Sequence, residues 1–136
     1  MEMMVVVGVL SLLAVLAIPR LGQVVGRAQG EQAAKAVSSL ITSAQAKARA
    51  QEKPYAVLLT APSNNTPGSA VLAVNAEGAW TPTGERVSLP PGTRVSPSQA
   101  TIAFDDRGVL DAGSPSRVII GRRTLTITRW GEVSMQ

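Results

Sequence analysis

The chain opens on a long apolar run, which limits what it can fold into more than any other feature does. Residues 3–18 carry no charged side chain, and they lie between Glu2 and Pro19. As a helix, these residues would be about 24 Å long, slightly less than the roughly 30 Å of a hydrocarbon core. A helix that continues with a kink through Pro19 to Val25 would have about 23 residues, which is enough to cross a bilayer.

Three interpretations of this run compete. The first is a buried core helix, although a chain of 136 residues rarely begins with a helix that is apolar on every side. The second is a secretory signal peptide, but the positively charged start that it needs is missing, and Val15-Leu16-Ala17 is a weak cleavage site. We favour the third interpretation, a membrane anchor that stays attached.

Glu2, at the head of the run, has two interpretations of its own. A carboxylate at the edge of a bilayer segment is costly unless it is paired, which makes it a candidate for function. Alternatively, Glu2 lies at the membrane interface and interacts favourably with the positive end of the helix dipole. The residues themselves leave both interpretations open.

Between residues 21 and 52 the apolar side chains fall on one side of a helix. They recur at helical spacing, at Leu21, Val24/Val25, Ala28, Ala33, Ala36/Val37, Leu40/Ile41, Ala44 and Ala48. Glu31 precedes Lys35 by four residues, the favourable order for an ion pair, and Lys53-Pro54 is a stop signal. The sequence therefore predicts one helix of about 50 residues, roughly 75 Å long. Its first half must be buried in lipid or among other copies, and its second half needs an element that covers the apolar stripe.

Three glycines follow Pro19 at intervals of four residues, and they also have two interpretations. Gly22, Gly26 and Gly30 form a series of small residues that would let helix backbones approach closely. Together with Pro19, the same glycines would make this the weakest part of the helix, able to bend or melt. The two roles are compatible in different states of the protein.

After Pro54 the pattern becomes that of short strands separated by turns. The predicted strands are residues 55–60, 69–74, 86–89, 101–104, 117–120, 124–129 and 132–135. Their regular spacing favours antiparallel meander or hairpin sheets, with a tight hairpin at Gly121-Arg122-Arg123. The helix stripe can be buried across one face of such a sheet, so the sequence predicts an α+β fold.

The sequence offers no catalytic constellation. It contains no histidine and no cysteine, which excludes the commonest general base and all thiol chemistry. Asp105, Asp106 and Asp111 could meet a calcium ion, but their spacing is not that of an EF-hand and Asp-Asp-x-Gly is ordinary turn chemistry. We therefore expect a protein that is not an enzyme and that has no metal or cofactor.

One basic region is a candidate for nucleic-acid contact. Arg117, Arg122, Arg123 and Arg129 lie in a stretch without an acidic residue. Arginines projecting from a hairpin could follow the phosphates of DNA. The alternative is a solvated sheet edge whose charges resist aggregation.

The apolar run resembles the N-terminal helix of type IV pilins and of type II secretion pseudopilins. In those proteins a glutamate opens the segment and a proline closes it seventeen residues later, and Glu2 and Pro19 have the same spacing. The rest of the chain is similar to the GspH/FimT branch of minor pseudopilins and minor pilins. The matching stretches are KPYAVLLT, the region of Trp80, TIAFDDRGV and RTLTITRWGEV.

This resemblance implies a pilin-like fold with a filament-core or membrane helix at residues 1–26 and a globular domain at residues 27–136. It implies a structural subunit of a type IV pilus or a type II secretion pseudopilus, assembled by packing of N-terminal helices. In the family, the glutamate pairs with the amino terminus of a neighbouring subunit, a role that passes to Glu2, while Pro19 would provide a kink.

The implied partners are other pilin or pseudopilin subunits, an inner-membrane assembly platform, membrane lipid and a prepilin peptidase. The implied location is the bacterial inner membrane, crossed once, with the globular domain outside the cytoplasm. The leader that the peptidase removes, with its basic residue and its glycine-phenylalanine junction, would lie upstream of Met1. After processing, the new amino terminus would be methylated.

The resemblance also implies an alternative function, a DNA-binding minor pilin used in DNA uptake. Some FimT-type proteins bind DNA through a C-terminal Gly-Arg-x-Arg motif. Gly121-Arg122-Arg123-Thr124 matches that motif in part, whereas Gly131 is followed by the acidic Glu132.

Overall fold

A single long helix precedes all the strands of the chain. The computed structural model describes the backbone of residues 2–63 and 65–136, and the side chains of residues 4–10, 28–63 and 65–136. Helix α1 comprises Glu2–Gln51, so the predicted helix of about 50 residues is confirmed. It ends where Glu52 adopts a left-handed conformation (φ 51°), a common way for a chain to leave a helix, immediately before Lys53-Pro54.

The second half of α1 buries one alanine-rich face. The buried residues are Ala33, Ala34, Val37, Leu40, Ile41, Ala44 and Ala48. The predicted stripe is therefore confirmed at Ala33, Val37, Leu40, Ile41, Ala44 and Ala48, and Ala36 is half-buried. Its first members, Leu21, Val24 and Val25, lie outside the described side chains. The prediction is wrong at Ala28, which is exposed because the globular part of the protein begins to cover the helix only after that residue.

Eight strands follow the helix and form two antiparallel sheets. They are β1 (Tyr55–Thr60), β2 (Gly68–Ala76), β3 (Ala79–Leu89), β4 (Val95–Ser96), β5 (Gln99–Phe104), β6 (Arg117–Ile120), β7 (Arg123–Ile127) and β8 (Val133–Met135). The first sheet has the strand order β3-β2-β1-β5, and the second has the order β4-β6-β7-β8. The predicted antiparallel arrangement is confirmed, but β5 pairs with β1 and β4 with β6, so the order is not that of a simple meander.

Strand β3 differs most from the sequence prediction. The residues from Trp80 to Gly84 were expected to interrupt it, yet the strand is continuous from Ala79 to Leu89. A proline is tolerated at this position because β3 is the edge strand of its sheet, where an amide need not be donated to a neighbour. Gly84 takes a positive φ of 98° close to the register shift opposite Val71 and Ala73, as expected at a bulge.

The hairpin of β6 and β7 agrees with its prediction. Ile120 pairs with Arg123, which leaves Gly121 and Arg122 as a two-residue turn. Gly121 has a φ of 64°, the conformation that a type II′ turn requires at its first central position. Strand β8 confirms the predicted C-terminal edge strand.

The core of the protein lies between helix α1 and both sheets. The largest buried side chains of the first sheet include Leu59, Leu72, Leu89, Ile102 and Phe104, and those of the second are Val118, Ile120, Leu125 and Ile127. The same helix face therefore holds the two sheets together. This arrangement confirms the predicted α+β fold, with one long helix packed on antiparallel sheets.

Candidate functional site

The start of helix α1 is an exposed apolar surface. Every residue from 4 to 10 is exposed, and the exposed fraction is 83% for Met4 and 61% for Leu10. Leu10 precedes Gly30, where the globular part begins, by 20 residues, or about 30 Å of helix. Exposed apolar surface of this extent is uncommon on a soluble monomer and marks a contact surface for another molecule.

Four predicted site residues fall outside the side chains that the structure describes. Glu2, Pro19, Gly22 and Gly26 belong to helix α1 by their backbone, but their surroundings lie outside the described residues. Among the side chains that are described, no helical stretch combines the length and the apolar character needed to cross a membrane.

Gly30 lies where the helix meets the turn of the second sheet. A side chain on Gly121 would come within 3.7 Å of the Cα of Gly30, so the two glycine backbones are near neighbours. A side chain on Gly30 itself would meet nothing within 4 Å. Gly30 therefore marks the level at which α1 leaves the globular part. Its predicted role as a packing or bending point stays a prediction.

Arg123 and Arg122 lie at this same level. A guanidinium nitrogen of Arg123 is 3.0 Å from a carboxylate oxygen of Glu31 in the helix. Arg123 shares the face of β7 with the buried Leu125 and Ile127, which directs it toward the helix. Arg122, in the turn, is exposed.

Arg117 and Arg129 lie elsewhere. Val118 and Ile120 are buried, so Arg117 occupies the opposite, outer face of β6. Arg129 follows the end of β7 that lies away from Arg123, and the five residues of this strand separate the two ends by about 16 Å. The guanidinium carbon of Arg129 lies 6.0 Å from the ring centre of Trp130. The structure therefore brings Arg122 and Arg123 together but does not unite the four predicted arginines in one patch.

A cleft beside Arg122 contains an arginine that the sequence did not single out. The cleft has a volume of about 440 Å³ and is lined by Gln29 and Gly30 of the helix, residues 90–94, Gly121 and Arg122. Arg94 joins it because Val95 pairs with Ile120 and the Arg94 carbonyl accepts a hydrogen bond from the Gly121 amide. That pairing spans 25 residues and involves a two-residue strand, so no local pattern could have predicted it.

At the opposite end of the helix, a network of polar contacts fixes the turn before β8. The side-chain amide of Gln45 donates hydrogen bonds to the carbonyls of Gly108 (3.1 Å) and Trp130. Arg49 also donates to the Trp130 carbonyl, at 3.5 Å. Trp130 as a whole residue remains 68% exposed. This network was not predicted, because Gln45 and Arg49 lie on the helix side that was expected to face solvent.

The acidic turn after β5 is satisfied by backbone groups. One carboxylate oxygen of Asp105 accepts hydrogen bonds from the amides of Arg107 and Val109, both at 2.9 Å. This is the turn chemistry that the sequence indicated. In the part of the chain that the structure describes, no three acidic side chains are grouped as ligands for a metal ion.

A long helix that is apolar and exposed at its start and covered by antiparallel sheets in its second half is the architecture of the type IV pilins. The crystal structure of the type IV minor pilin FimU of Pseudomonas aeruginosa is similar to this chain. The two share 13% sequence identity and superpose with a TM-score of 0.56, over 78% of this chain and 91% of that one.

These values show that the chain has the fold of this pilin, as the predicted pilin-like fold requires. No protein-family model and no curated protein matches the sequence. The narrower resemblance to the GspH/FimT branch stays a prediction.

Proposed function

We propose that this protein is a structural subunit, a minor pilin or pseudopilin, that enters a type IV pilus or a type II secretion pseudopilus. Subunits would assemble by packing their N-terminal helices against one another. The observation that carries the proposal is the exposed apolar surface of residues 4–10 on a chain with the pilin fold.

The energetics of this surface favour a partner made of several helices. Six of the seven side chains are large and apolar, each 54% exposed or more. Covering one such side chain contributes about 1.5–3 kcal/mol. Because they lie all around the helix rather than on one stripe, a single flat partner would leave part of them exposed. Lipid, or a bundle of similar helices, would surround them.

The same surface suggests how the chain is divided and where it resides. We assign residues 1–26 to a helix that is held in the bacterial inner membrane before assembly and in the filament core afterwards. Residues 27–136 form the globular domain, outside the cytoplasm. An inner-membrane assembly platform and a prepilin peptidase would act on the protein during this transfer.

A structural role also agrees with the chemistry of the described surface. Two backbone amides donate hydrogen bonds to Asp105, and the charged side chains of Lys47 and Glu85 pair with each other. We therefore propose a subunit that acts by polymerising and catalyses no reaction.

Site-specific photo-crosslinking tests this proposal. A benzophenone amino acid is placed at Val6, and in a matched variant at Ala112, an exposed residue of the globular domain. Both full-length variants are expressed with a complete leader in a bacterium that makes the filament. We expect illumination to attach the Val6 variant to other pilin-type subunits in sheared filaments, whereas the Ala112 variant should give few such products or different ones.

Two results would oppose the proposal. Val6 adducts that contain lipid alone, under conditions in which filaments are made, would show an anchor that never enters a bundle. An absence of the protein from sheared filaments would contradict the role of subunit altogether.

The alternative function, DNA binding during uptake, rests on the arginines of the second sheet. Of the four predicted residues, Arg122 is exposed and borders the cleft, and Arg123 is engaged by Glu31. Arg117 and Arg129 lie on other surfaces. The structural-subunit proposal has the stronger support, and the two functions are compatible in one protein.

A further inference from the structure

The end of the globular domain from which helix α1 emerges is basic. Two segments lie beside the helix there, residues 90–94 and the turn at 121–122, and they line a cleft together with Gln29 and Gly30. They contain Arg94 and Arg122 and no acidic residue. We call Arg94, Arg122 and the cleft between them the basic collar.

The two arginines of the collar are available to a ligand. Both are exposed, and within the described part of the chain the ion pairs involve other residues, Lys47 with Glu85 and Arg123 with Glu31. Glu31 is the nearby acid, and Arg123 already engages it. The positive charge of Arg94 and Arg122 is therefore not neutralised locally.

The opposite end of the domain carries the opposite charge. Its turns and loops hold six acidic residues and three basic ones: Glu52, Glu77, Asp105, Asp106, Asp111 and Glu132 against Lys53, Arg107 and Arg129. The domain is thus polarised along the helix, positive where the apolar half emerges and acidic at the far end. An anionic surface would attract the first end and repel the second.

The position of the collar along the helix matches that of a lipid headgroup layer. This step rests on the proposed function, in which residues 1–26 occupy the membrane. Gly30, which borders the cleft, lies four residues or about 6 Å beyond residue 26. The polar layer on each side of a hydrocarbon core is about 5–8 Å thick. The guanidinium groups would therefore reach the level of the phosphates.

We infer that the basic collar binds the phosphate groups of anionic phospholipids and holds the globular domain against the membrane before the subunit is drawn into a filament. Guanidinium groups suit phosphate because their planar donors form paired, charge-assisted hydrogen bonds. A cleft of about 440 Å³ lies between them and the helix, within the size range of ligand sites.

Quenching by labelled lipids tests this inference on the full chain. The chain has no cysteine, so a dye can be attached uniquely at Ser98→Cys, near the collar, or at Ala112→Cys, at the far end. Each protein is reconstituted into phosphatidylcholine vesicles, with or without phosphatidylglycerol, that contain a nitroxide on some headgroups. Quenching then reports contact between the dye and the headgroup layer.

We expect phosphatidylglycerol to increase quenching at Ser98 and not at Ala112, and added salt to reverse the increase. Replacing Arg94 or Arg122 by Gln should reduce the equilibrium constant between the membrane-bound and the free domain about fivefold for each arginine. The matched variants R86Q and R129Q remove one exposed charge elsewhere and should leave quenching unchanged. Lysine at the collar positions should preserve most of the effect.

Equal quenching at Ser98 with and without phosphatidylglycerol, in protein that floats with the vesicles, would overturn the inference alone. Failure of the chain to float with vesicles would instead contradict the proposed membrane helix. If inorganic phosphate abolishes the increase in quenching at Ser98 and chloride of equal ionic strength does not, the collar is a site for free phosphate. Collar-dependent binding of DNA without any response to phosphatidylglycerol would assign the collar to nucleic acid. Either of the last two results would overturn the lipid assignment.

Discussion

The guanidinium of Arg123 lies 3.0 Å from the carboxylate of Glu31, a contact that joins the first residue of β7 to helix α1 across 92 residues of chain. This pair has a consequence for charge as well as for structure. It neutralises the arginine that points toward the helix, so Arg122 and Arg94 carry the net positive charge at this end of the domain.

We expect the Arg123–Glu31 pair to contribute little to stability. The two side chains are 41% and 52% exposed, and water and salt screen ion pairs of this kind. Arg123→Gln should lower the free energy of unfolding by less than about 1 kcal/mol. Urea unfolding of the full chain in detergent measures this, with Arg122→Gln as the control that removes an unpaired charge. A loss above about 2 kcal/mol would show that the contact is much better shielded from water than its exposure indicates.

Gly131 should be far less tolerant of substitution than Gly78. The two have nearly equal positive φ values, 86° and 85°, so alanine would be similarly strained by its backbone at both. At Gly78 the added Cβ meets open space, whereas at Gly131 it overlaps the side chain of Gln45. We expect Gly78→Ala to cost about 1 kcal/mol and Gly131→Ala about 2–3 kcal/mol, because Gln45 must also give up its hydrogen bonds to Gly108 and Trp130.

Thermal unfolding is measured for Gly78→Ala, Gly131→Ala, Gln45→Ala and the double variant Gln45→Ala/Gly131→Ala. The double variant should cost less than the sum of its two single substitutions, because the overlap is gone. Strictly additive losses would mean that Gln45 and residue 131 do not meet.

Helix α1 shows which parts of the structure can be predicted from the sequence and which cannot. Its length and its buried face follow from spacing and from the stop at Pro54, which are local properties. The failure at Ala28 is not local, since the stripe continues in the sequence past the level at which the sheets stop covering it. Strand β3 shows the same limit, because Pro82 is compatible with a strand only at a sheet edge, and edge position depends on strand order.

The candidate functional residues also divide into those that local sequence patterns predict and those that depend on contacts between distant parts of the chain. Glu2 and Pro19 are predicted from a motif within one helix, and their roles stay predictions because their side chains lie outside the described residues. The basic collar was missed because the pairing of Val95 with Ile120, which is not local in the sequence, brings Arg94 to the same cleft as Arg122. The four arginines that are close in sequence were grouped for that reason, but alternation along β6 and β7 places Arg117 and Arg123 on opposite faces.

Gly68 should be required for the approach of β2 to the loop after β1. A Cβ there would lie 2.5 Å from the carbonyl oxygen of Thr60 and 2.6 Å from the nitrogen of Pro62, which are backbone atoms. Gly68→Ala should therefore lower the free energy of unfolding by about 2 kcal/mol or more, as overpacking does elsewhere. Gly113→Ala, whose Cβ would have ordinary contact with Asp111, is the matched control and should change stability by about 0.5 kcal/mol or less. Equal effects of the two substitutions in urea unfolding would contradict the close approach.

DNA binding, if measured, should have a shallow salt dependence. Arg94 and Arg122 are exposed and line the same cleft, so about two phosphates can be contacted together, and the slope of log affinity against log salt should have a magnitude of roughly 2. Fluorescence anisotropy with duplex DNA at several salt concentrations measures the slope. A slope of about four or more that falls on replacing Arg117 and Arg129 would show that all four predicted arginines act on one DNA molecule.

Glu2 provides the sharpest test of assembly. A carboxylate in apolar surroundings needs a positive partner, and the resemblance to pilins implies that this partner is the amino terminus of a neighbouring subunit. Removing one member of such a pair costs about 3–5 kcal/mol, because the other charge is left buried alone. We expect Glu2→Ala, expressed with a complete leader, to remain in the membrane fraction and to be lost from sheared filaments, as measured by immunoblotting of both fractions. Glu77→Ala removes a carboxylate from an exposed turn and should enter filaments normally. If the Glu2 variant enters filaments as efficiently as the Glu77 variant, the carboxylate does not guide assembly, and the apolar surface of the helix alone must drive it.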